Sequence, residues 1–331
     1  MGHSGRFGIS FQSDKSIAEY RHLAEIVDRY EFRTVSVYQD LFYQPPWPAL
    51  LQFAELTAGP LVGPAVVNPY LSHPVLVAGN LAMLDDLSRG RAYLGVGKGA
   101  FLDAIAVPQE RPLRAIRETV ELVQHFLGGF RDPYEGEIFR ATAGAVLRFP
   151  IPSRALPVLI GGWGPRTLAL AGEMADMAKV GGCANPESAP VFKSYLADGA
   201  AKAGREPRSV DLIYGAVTVI DRDNRLAESV ARRNVAMYVN VCGRLDPTYT
   251  PPEMDDVEQA LGRGDEEAAA AALSAETLSR FCTYGTPGDI VAHMERLFDA
   301  GVDLFEFGTP HGVNEGEAIR LLGEEVLPHF A

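Results

Sequence analysis

The chain has 331 residues, 47% of them hydrophobic, which suffices for one large α/β domain or two ordinary ones and is too apolar for a disordered polypeptide. Its net charge of −13 argues against a broad nucleic-acid or anionic-membrane surface and leaves a small molecule as the expected partner. Cys183, Cys242 and Cys282 are widely spaced with no CxxC pair, which suits a reducing cytoplasm, and no apolar run reaches the ~20 residues of a membrane span.

Taken in order, Phe7–Gln12 reads as a first strand and Ser16–Tyr30 as a helix, with Ile17, Tyr20, Leu23, Ile26 and Val27 at helical spacing. Thr34–Gln39 alternates as a second strand, followed by Asp40, a proline-rich loop at 44–48 and a helix from Ala49 to Thr57. Leu61–Val67 gives a third strand, interrupted at Gly63-Pro64, and Val75–Leu87 its helix. Arg91–Val96 is the fourth strand, then come Gly97-Lys98-Gly99 and a long helix, Leu113–Leu127. Residues 128–155, with β-prone pieces such as Glu137-Ile138-Phe139, form an excursion. Pro157–Ile160, Met177–Val180 and Val210–Ile220 are strands five to seven, with helices beginning near Thr167, at Ser188–Ala203 and at Arg225–Val239. An Ala- and Glu-rich stretch, Met254–Ser279, precedes a helix Pro287–Ala300, a last strand Leu304–Gly308 and a closing helix Glu315–His329.

Eight strands alternating with helices predict a (β/α)8 TIM barrel, a single domain over 1–331 with insertions near 128–155 and 246–280. Asp265–Leu273 within the second insertion reads as a solvated helix, or alternatively as a lid over the barrel mouth.

In such a barrel the ligand meets the loops that follow the strands. Those loops carry Ser10 and Gln12; Gln39 and Asp40; Ala65, Val66 and Asn68; Gly97, Lys98 and Gly99; Gly161, Gly162, Trp163 and Gly164; Gly181 and Gly182; and Glu306 to Gly308. The fifth is the most informative. An apolar run, a glycine turn and Pro165 at a helix start would present free amides and the positive end of the helix dipole to a phosphate. Recurrent glycine suggests a flat ligand lying close to the backbone. The run Gly95–Ala100 lacks the spacing of a phosphate-loop ATPase, and a dinucleotide fingerprint would put its acid inside the long helix. Lys98 is a surface cation or a phosphate or substrate contact. The seven histidines show no HxxH, HExxH or Cys/His spacing, so no metal site is expected, and no GxSxG elbow occurs. Asp40, among Tyr38, Phe42, Tyr43 and Trp47, is either an Asp bonded to its own loop or a carboxyl whose pKa desolvation raises.

Three runs carry a family signal: Gly63–Tyr70 with His73-Pro74; Leu84–Arg91 leading to Leu94–Gly97; and Ile160-Gly161-Gly162 with Gly164-Pro165 and Ala171-Gly172-Glu173. Over nearly the whole chain the sequence resembles the bacterial luciferase-like superfamily, most of all its branch using the deazaflavin coenzyme F420, typified by methylenetetrahydromethanopterin reductase. The resemblance implies a deazaflavin ring at the C-terminal face of the barrel, backed by a third-strand bulge with a non-proline cis peptide at Ala65–Val66. It implies a phosphate near Gly161-Gly162 and Gly181-Gly182, a polar cofactor contact at Asp103, and a homo-oligomer. Where the pterin reductases have Glu in the first strand this chain has Ser10, and Gln39-Asp40 stands where many relatives have Asp-His. Asp40 is therefore the first choice for proton handling, with Gln39 beside it. The expected reaction is hydride transfer between F420 and a small organic acceptor or donor, pterin-type substrates included. The alternatives are an FMN-dependent monooxygenase and a cofactor-binding protein without catalysis.

Overall fold

The computed structural model describes residues 5–331. Eight parallel strands build a wall: β1 (Phe7–Phe11), β2 (Thr34–Val37), β3 (Leu61–Pro64), β4 (Leu94–Gly97), β5 (Val158–Gly161), β6 (Met177–Gly181), β7 (Asp211–Ile220) and β8 (Leu304–His311). Their order is β3-β2-β1-β8-β7-β6-β5-β4, and two parallel bridges, Val62 to Ala92 and Val67 to Val96, bring β4 back beside β3. This is the predicted (β/α)8 barrel, nearly closed.

Successive residues of a strand face opposite sides. Phe7, Ile9, Phe11, Val35, Val37, Ile160, Val180, Phe305 and Phe307 join the main core with the apolar faces of the surrounding helices. Phe7 alone meets the rings of Phe298, Phe307 and Phe330 at 5.4, 5.3 and 5.2 Å. A separate, smaller cluster of Tyr93, Leu159, Met177, Ile213 and Leu304 fills the barrel interior. Beyond it the inward positions pair glycines with large polar side chains: a Cβ on Gly8 would meet Thr34 Oγ1 at 2.1 Å, and one on Gly215 would meet Lys179 Cε at 2.7 Å.

Five helices start at a proline, Pro46, Pro74, Pro112, Pro165 and Pro287, where the missing N–H removes no intrahelical bond. The second helix consequently runs Pro46–Leu56, taking its first turn from residues expected as a loop. The fifth, Pro165–Met174, packs on Ala189–Lys202 backbone to backbone: Cβ atoms on Gly172 and Gly199 would lie 2.1 Å from Leu196 O and 1.9 Å from Ala169 O.

Several expectations are corrected. The third strand ends at Pro64 rather than Val67. In the first insertion, Tyr134–Glu135 and Arg140–Ala141 form a hairpin, and Glu137-Ile138-Phe139 is its turn, not a strand. The reason is Glu118, a buried carboxylate that accepts the N–H groups of all three turn residues at 2.9, 2.9 and 3.0 Å. Cys282–Gly285, not foreseen, pairs with β7 outside the barrel order. Met254–Ser279 resolves into three short helices, Met254–Gly262, Glu266–Ala272 and Ala275–Phe281. The middle one is not simply solvated, since Ala269 and Ala270 are buried. After Glu315–Leu321 the last helix continues as a π turn, Leu322–Val326, and a 3-10 turn, Leu327–Phe330.

Candidate active site

Asp40 follows β2, and its Oδ2 accepts a hydrogen bond from Gln12 Nε2, on the β1 loop, at 2.8 Å. Burial pushes its carboxyl above the ordinary range, while the Gln12 bond and the Lys179 ammonium pull it back. A carboxyl raised in this way is a candidate for holding a proton at the site. Gln39 is committed to the scaffold, because its Oε1 accepts the Asn68 N–H at 3.2 Å and ties the β2 loop to the β3 bulge. Asn68 is buried, and its Oδ1 accepts from the amides of Tyr70 and Leu71, a side-chain turn that fixes the bulge exit.

The Ala65–Val66 peptide is cis, as the resemblance implied. Val66 projects over two strand ends. A Cβ on Gly97 would lie 2.7 Å from Val66 Cγ2, and one on Gly161 would lie 2.9 Å from Val66 Cγ1. Gly99 has a positive φ of 80° and would place a Cβ 2.8 Å from that of Asn68. For these three glycines the close neighbour is the protein's own bulge. Gly164 and Gly181 differ, since nothing lies within 4 Å of a Cβ built on either.

At the fifth loop, Gly164 caps the helix Pro165–Met174 without a side-chain bond. Gly162 N–H donates to Lys179 O at 2.9 Å, and Gly182 N–H, at a positive φ of 75°, to Gly215 O. The amides of Trp163 and Gly164 have no acceptor among the described residues, so two donors and a helix dipole meet beside open backbone. Trp163 itself is a tie between loops: its indole N–H donates to Gly181 O at 2.7 Å, and its ring is buried against Phe281. Lys98 and Asp103 are exposed, Asp103 on a short 3-10 turn, Leu102–Ile105. The side chain of neither is joined to Asp40 or to the fifth loop by a hydrogen bond or ion pair among the described residues.

Beneath the mouth lies a polar network that reading the strand ends alone does not single out. Lys179 on β6 and Glu306 on β8 form an ion pair, 5% and 1% exposed. Glu306 also accepts from the hydroxyls of Ser36 and Thr34, and Ser36 meets the Tyr93 phenol at 2.7 Å. The Lys179 ammonium sits 5.1 Å from the centre of the Tyr38 ring, whose hydroxyl bonds Ser10. Burial keeps the Tyr38 and Tyr93 phenols protonated well beyond the ordinary range. Tyr238, from the helix Asn224–Cys242, adds a third, partly buried phenol, its pKa raised by desolvation, whose charge would repel that of Asp40. A sequence signal for the pair exists: a lone Lys within Met177–Gly181 and a lone Glu between Phe305 and Phe307 are charges in strands otherwise apolar.

The family model for luciferase-like monooxygenases matches residues 3–304. The 5,10-methylenetetrahydromethanopterin reductase of Methanolobus tindarius is 30% identical over 329 residues, covering 97% of this chain and 99% of that protein. The F420-dependent glucose-6-phosphate dehydrogenase of Nakamurella multipartita is 26% identical, covering 98% and 96%. The solved coenzyme F420 dependent tetrahydromethanopterin reductase of Methanopyrus kandleri superposes with a TM-score of 0.89 at 28% identity, covering 99% of each chain. With the barrel order and a match over nearly its whole length in agreement, the chain belongs to the luciferase-like monooxygenase family.

Proposed function

We propose that this chain is an F420-dependent oxidoreductase moving a hydride between the deazaflavin and a small organic acceptor or donor, with pterin-type compounds as the substrate class. The observation that carries the reading is the β3 bulge: Val66 stands over Gly97 and Gly161, between the free amides of Trp163 and Gly164 and the Asp40–Gln12 pair. The residues fit the group, since a phosphate needs the unpartnered donors and open backbone at Gly164 and Gly181, and a planar ring needs an apolar back wall. The similar relatives named for F420 or for a methanopterin substrate support the same choice.

When bound, F420 supplies a two-electron hydride at C5 of its deazaflavin ring. The protein's part is placement and proton management. The Trp163 and Gly164 amides would hold the phosphate, with Gly161, Gly162, Gly181 and Gly182 shaping the loops around it and the exposed Lys98 and Asp103 outside them. Ala65 and Val66 would back the ring, and Asn68, Gly97 and Gly99 brace that bulge. Asp40 holds its proton at Oδ1 while Oδ2 accepts from Gln12 Nε2, and Gln39 fixes its loop. Ser10 and Tyr38 put a pair of bonded hydroxyls beneath the mouth, where the pterin reductases are expected to carry a first-strand carboxylate.

The whole chain works as one domain in this reading, because β1 pairs with β8 and so joins both ends of the chain in one wall. Three buried free cysteines support a reducing, cytoplasmic setting, and no helix among the described residues is long and apolar enough to cross a membrane. Leu76, Met83 and Leu87 form an exposed apolar stripe on the helix Pro74–Leu87, which supports a homo-oligomer.

Parallel calorimetric titrations with F420 and FMN, with an oxygen electrode on the same samples, test the reading. The expected result is micromolar or tighter F420 binding, weaker FMN binding and no oxygen uptake with reduced cofactor. Tight FMN binding with rapid oxygen uptake would install a monooxygenase in its place.

A further inference from the structure

Between the helices Pro112–Leu127 and Pro165–Met174 runs a surface groove of roughly 670 Å³. Arg111, Arg114 and Arg117 line one wall, Arg166 the other, and Lys202 one end. Two carboxylates, Glu137 and Glu173, face these five cations, so the lining is net positive in a chain whose net charge is −13. Such a concentration of charge in an acidic protein marks an anion site. Arg111, Arg114 and Arg117 follow one another at three-residue intervals, which spaces them about 4.5 Å apart along the helix axis. Glu137 accepts from Arg111 at 2.8 Å and from Arg114, so these two arginines already share one carboxylate, and Glu118 lies 3.7 Å from Arg114 Nε. Arg117 pairs with Glu173, which leaves Arg166 and Lys202 without an ion-pair partner among the described residues. The groove also starts at the anion site: Arg166 is the second residue of the helix that Gly164 caps.

We propose that this groove binds a flexible chain of carboxylates, continuous with the phosphate-bearing ligand at Gly161–Gly164. The inference rests on the cofactor reading above, since F420 carries an oligoglutamate tail beyond its phosphate. Guanidinium forks suit successive carboxylates. Each exposed pair contributes little, and several in series give a modest, salt-sensitive gain.

The test compares F420 forms with short and long glutamate tails by fluorescence titration, at low and high salt, in wild type and in an Arg111→Asn/Arg114→Ala variant. Asn is chosen at 111 because that residue has a positive φ of 46°. In wild type the long-tailed form should bind about five- to tenfold more tightly at low salt, the scale expected of a few exposed ion pairs. High salt and the variant should both abolish that difference and leave short-tail affinity unchanged. Equal affinity for both forms in wild type at low salt would overturn the proposal. A dye-labelled oligoglutamate peptide, added without cofactor, separates the two readings. Salt-sensitive peptide binding lost in the variant, with no binding of any F420 form, would keep the groove and remove the cofactor; absence of both removes the groove.

Discussion

The two faces of the barrel wall are built on opposite rules. On β8, Phe305 and Phe307 face outward into a shell of aromatic rings and helices, while Glu306 between them faces inward to Lys179, Ser36 and Thr34. On β6, Ala178 and Val180 face the shell and Lys179 faces the interior. TIM-barrel interiors are ordinarily packed with branched apolar side chains. Here only the layer of Leu159, Met177, Ile213 and Leu304 follows that habit, and the layer above holds charge over glycine. The shell therefore supplies stability, whereas the interior gives some up to place ionisable groups under the mouth.

The sharpest test of this contrast alters neighbours on one strand. Phe307→Ala should cost about 3–5 kcal/mol in urea unfolding and leave turnover per folded molecule within about twofold. Glu306→Leu should cost a similar ~3–5 kcal/mol, because it strands a buried ammonium, and should also lower turnover. Adding Lys179→Met to Glu306→Leu should return most of the lost stability but not the turnover. If the double variant is as unstable as the single one, the interior pair stabilises the fold and the contrast fails.

Titration offers a second discrimination. His293, in the shell helix Pro287–Asp299, is buried, and its Nε2 bonds Ala184 O at 2.8 Å. Burial lowers its pKa to about 4 from the ordinary 6.5. A depressed histidine contributes stability that is present above the unfolded pKa and lost as pH falls through the folded one. Stability should therefore fall by about 3 kcal/mol on this account between pH 6.5 and 4. In His293→Gln that slope should be missing from melts run across the same range; an unchanged slope assigns acid sensitivity to other groups.

A smaller effect is expected at the meeting of bulge and wall. Gly97→Ala puts a methyl 2.7 Å from Val66 Cγ2 and 3.0 Å from Gly161 O. It should cost about 1–3 kcal/mol and weaken cofactor binding, because the bulge alone can give way. Unaltered affinity would separate Val66 from the ring. Asp40→Asn should change stability least. Its raised carboxyl stays protonated to higher pH than an exposed Asp, so a rate that needs the proton falls as pH rises through that pKa. The Asn variant should be slower by about 10²-fold or more and should lose that limb of the pH–rate profile; identical profiles would make Asp40 structural.

Much of the fold was legible because amphipathic periods and proline starts are local signals. Thr34–Val37 and Pro165–Met174 could be read from a few residues each. The cis peptide at Ala65–Val66 was reached only by resemblance, since nothing in those two side chains demands it. The interior network was missed for a geometric reason. Lys179 and Glu306 lie 127 residues apart, and only the register of β6, β7 and β8 brings them together. In the sequence alone Glu306 is one strand end among several, and Lys179 one residue of a sixth strand. Glycine at Gly97, Gly99 and Gly161 likewise suggests room for a ligand in the sequence, whereas in the fold it makes room for Val66 and Asn68. Glu118 hid the hairpin turn because a helical carboxylate satisfies amides about 20 residues downstream.

The backbone contact through Gly172 and Gly199 has a bearing on how such a protein can diversify. With carbonyl oxygens of Leu196 and Ala169 standing where any side chain would go, neither glycine admits even alanine, and the two helices form one inflexible beam. The amides at Gly164 are the tip of that beam, so their position is inherited rather than adjustable. Changes that retarget the enzyme must enter elsewhere, through loops such as 98–111 or the residues around Ser10 and Asp40. Laboratory evolution confined to those segments would explore new acceptors while the anchoring end stayed fixed.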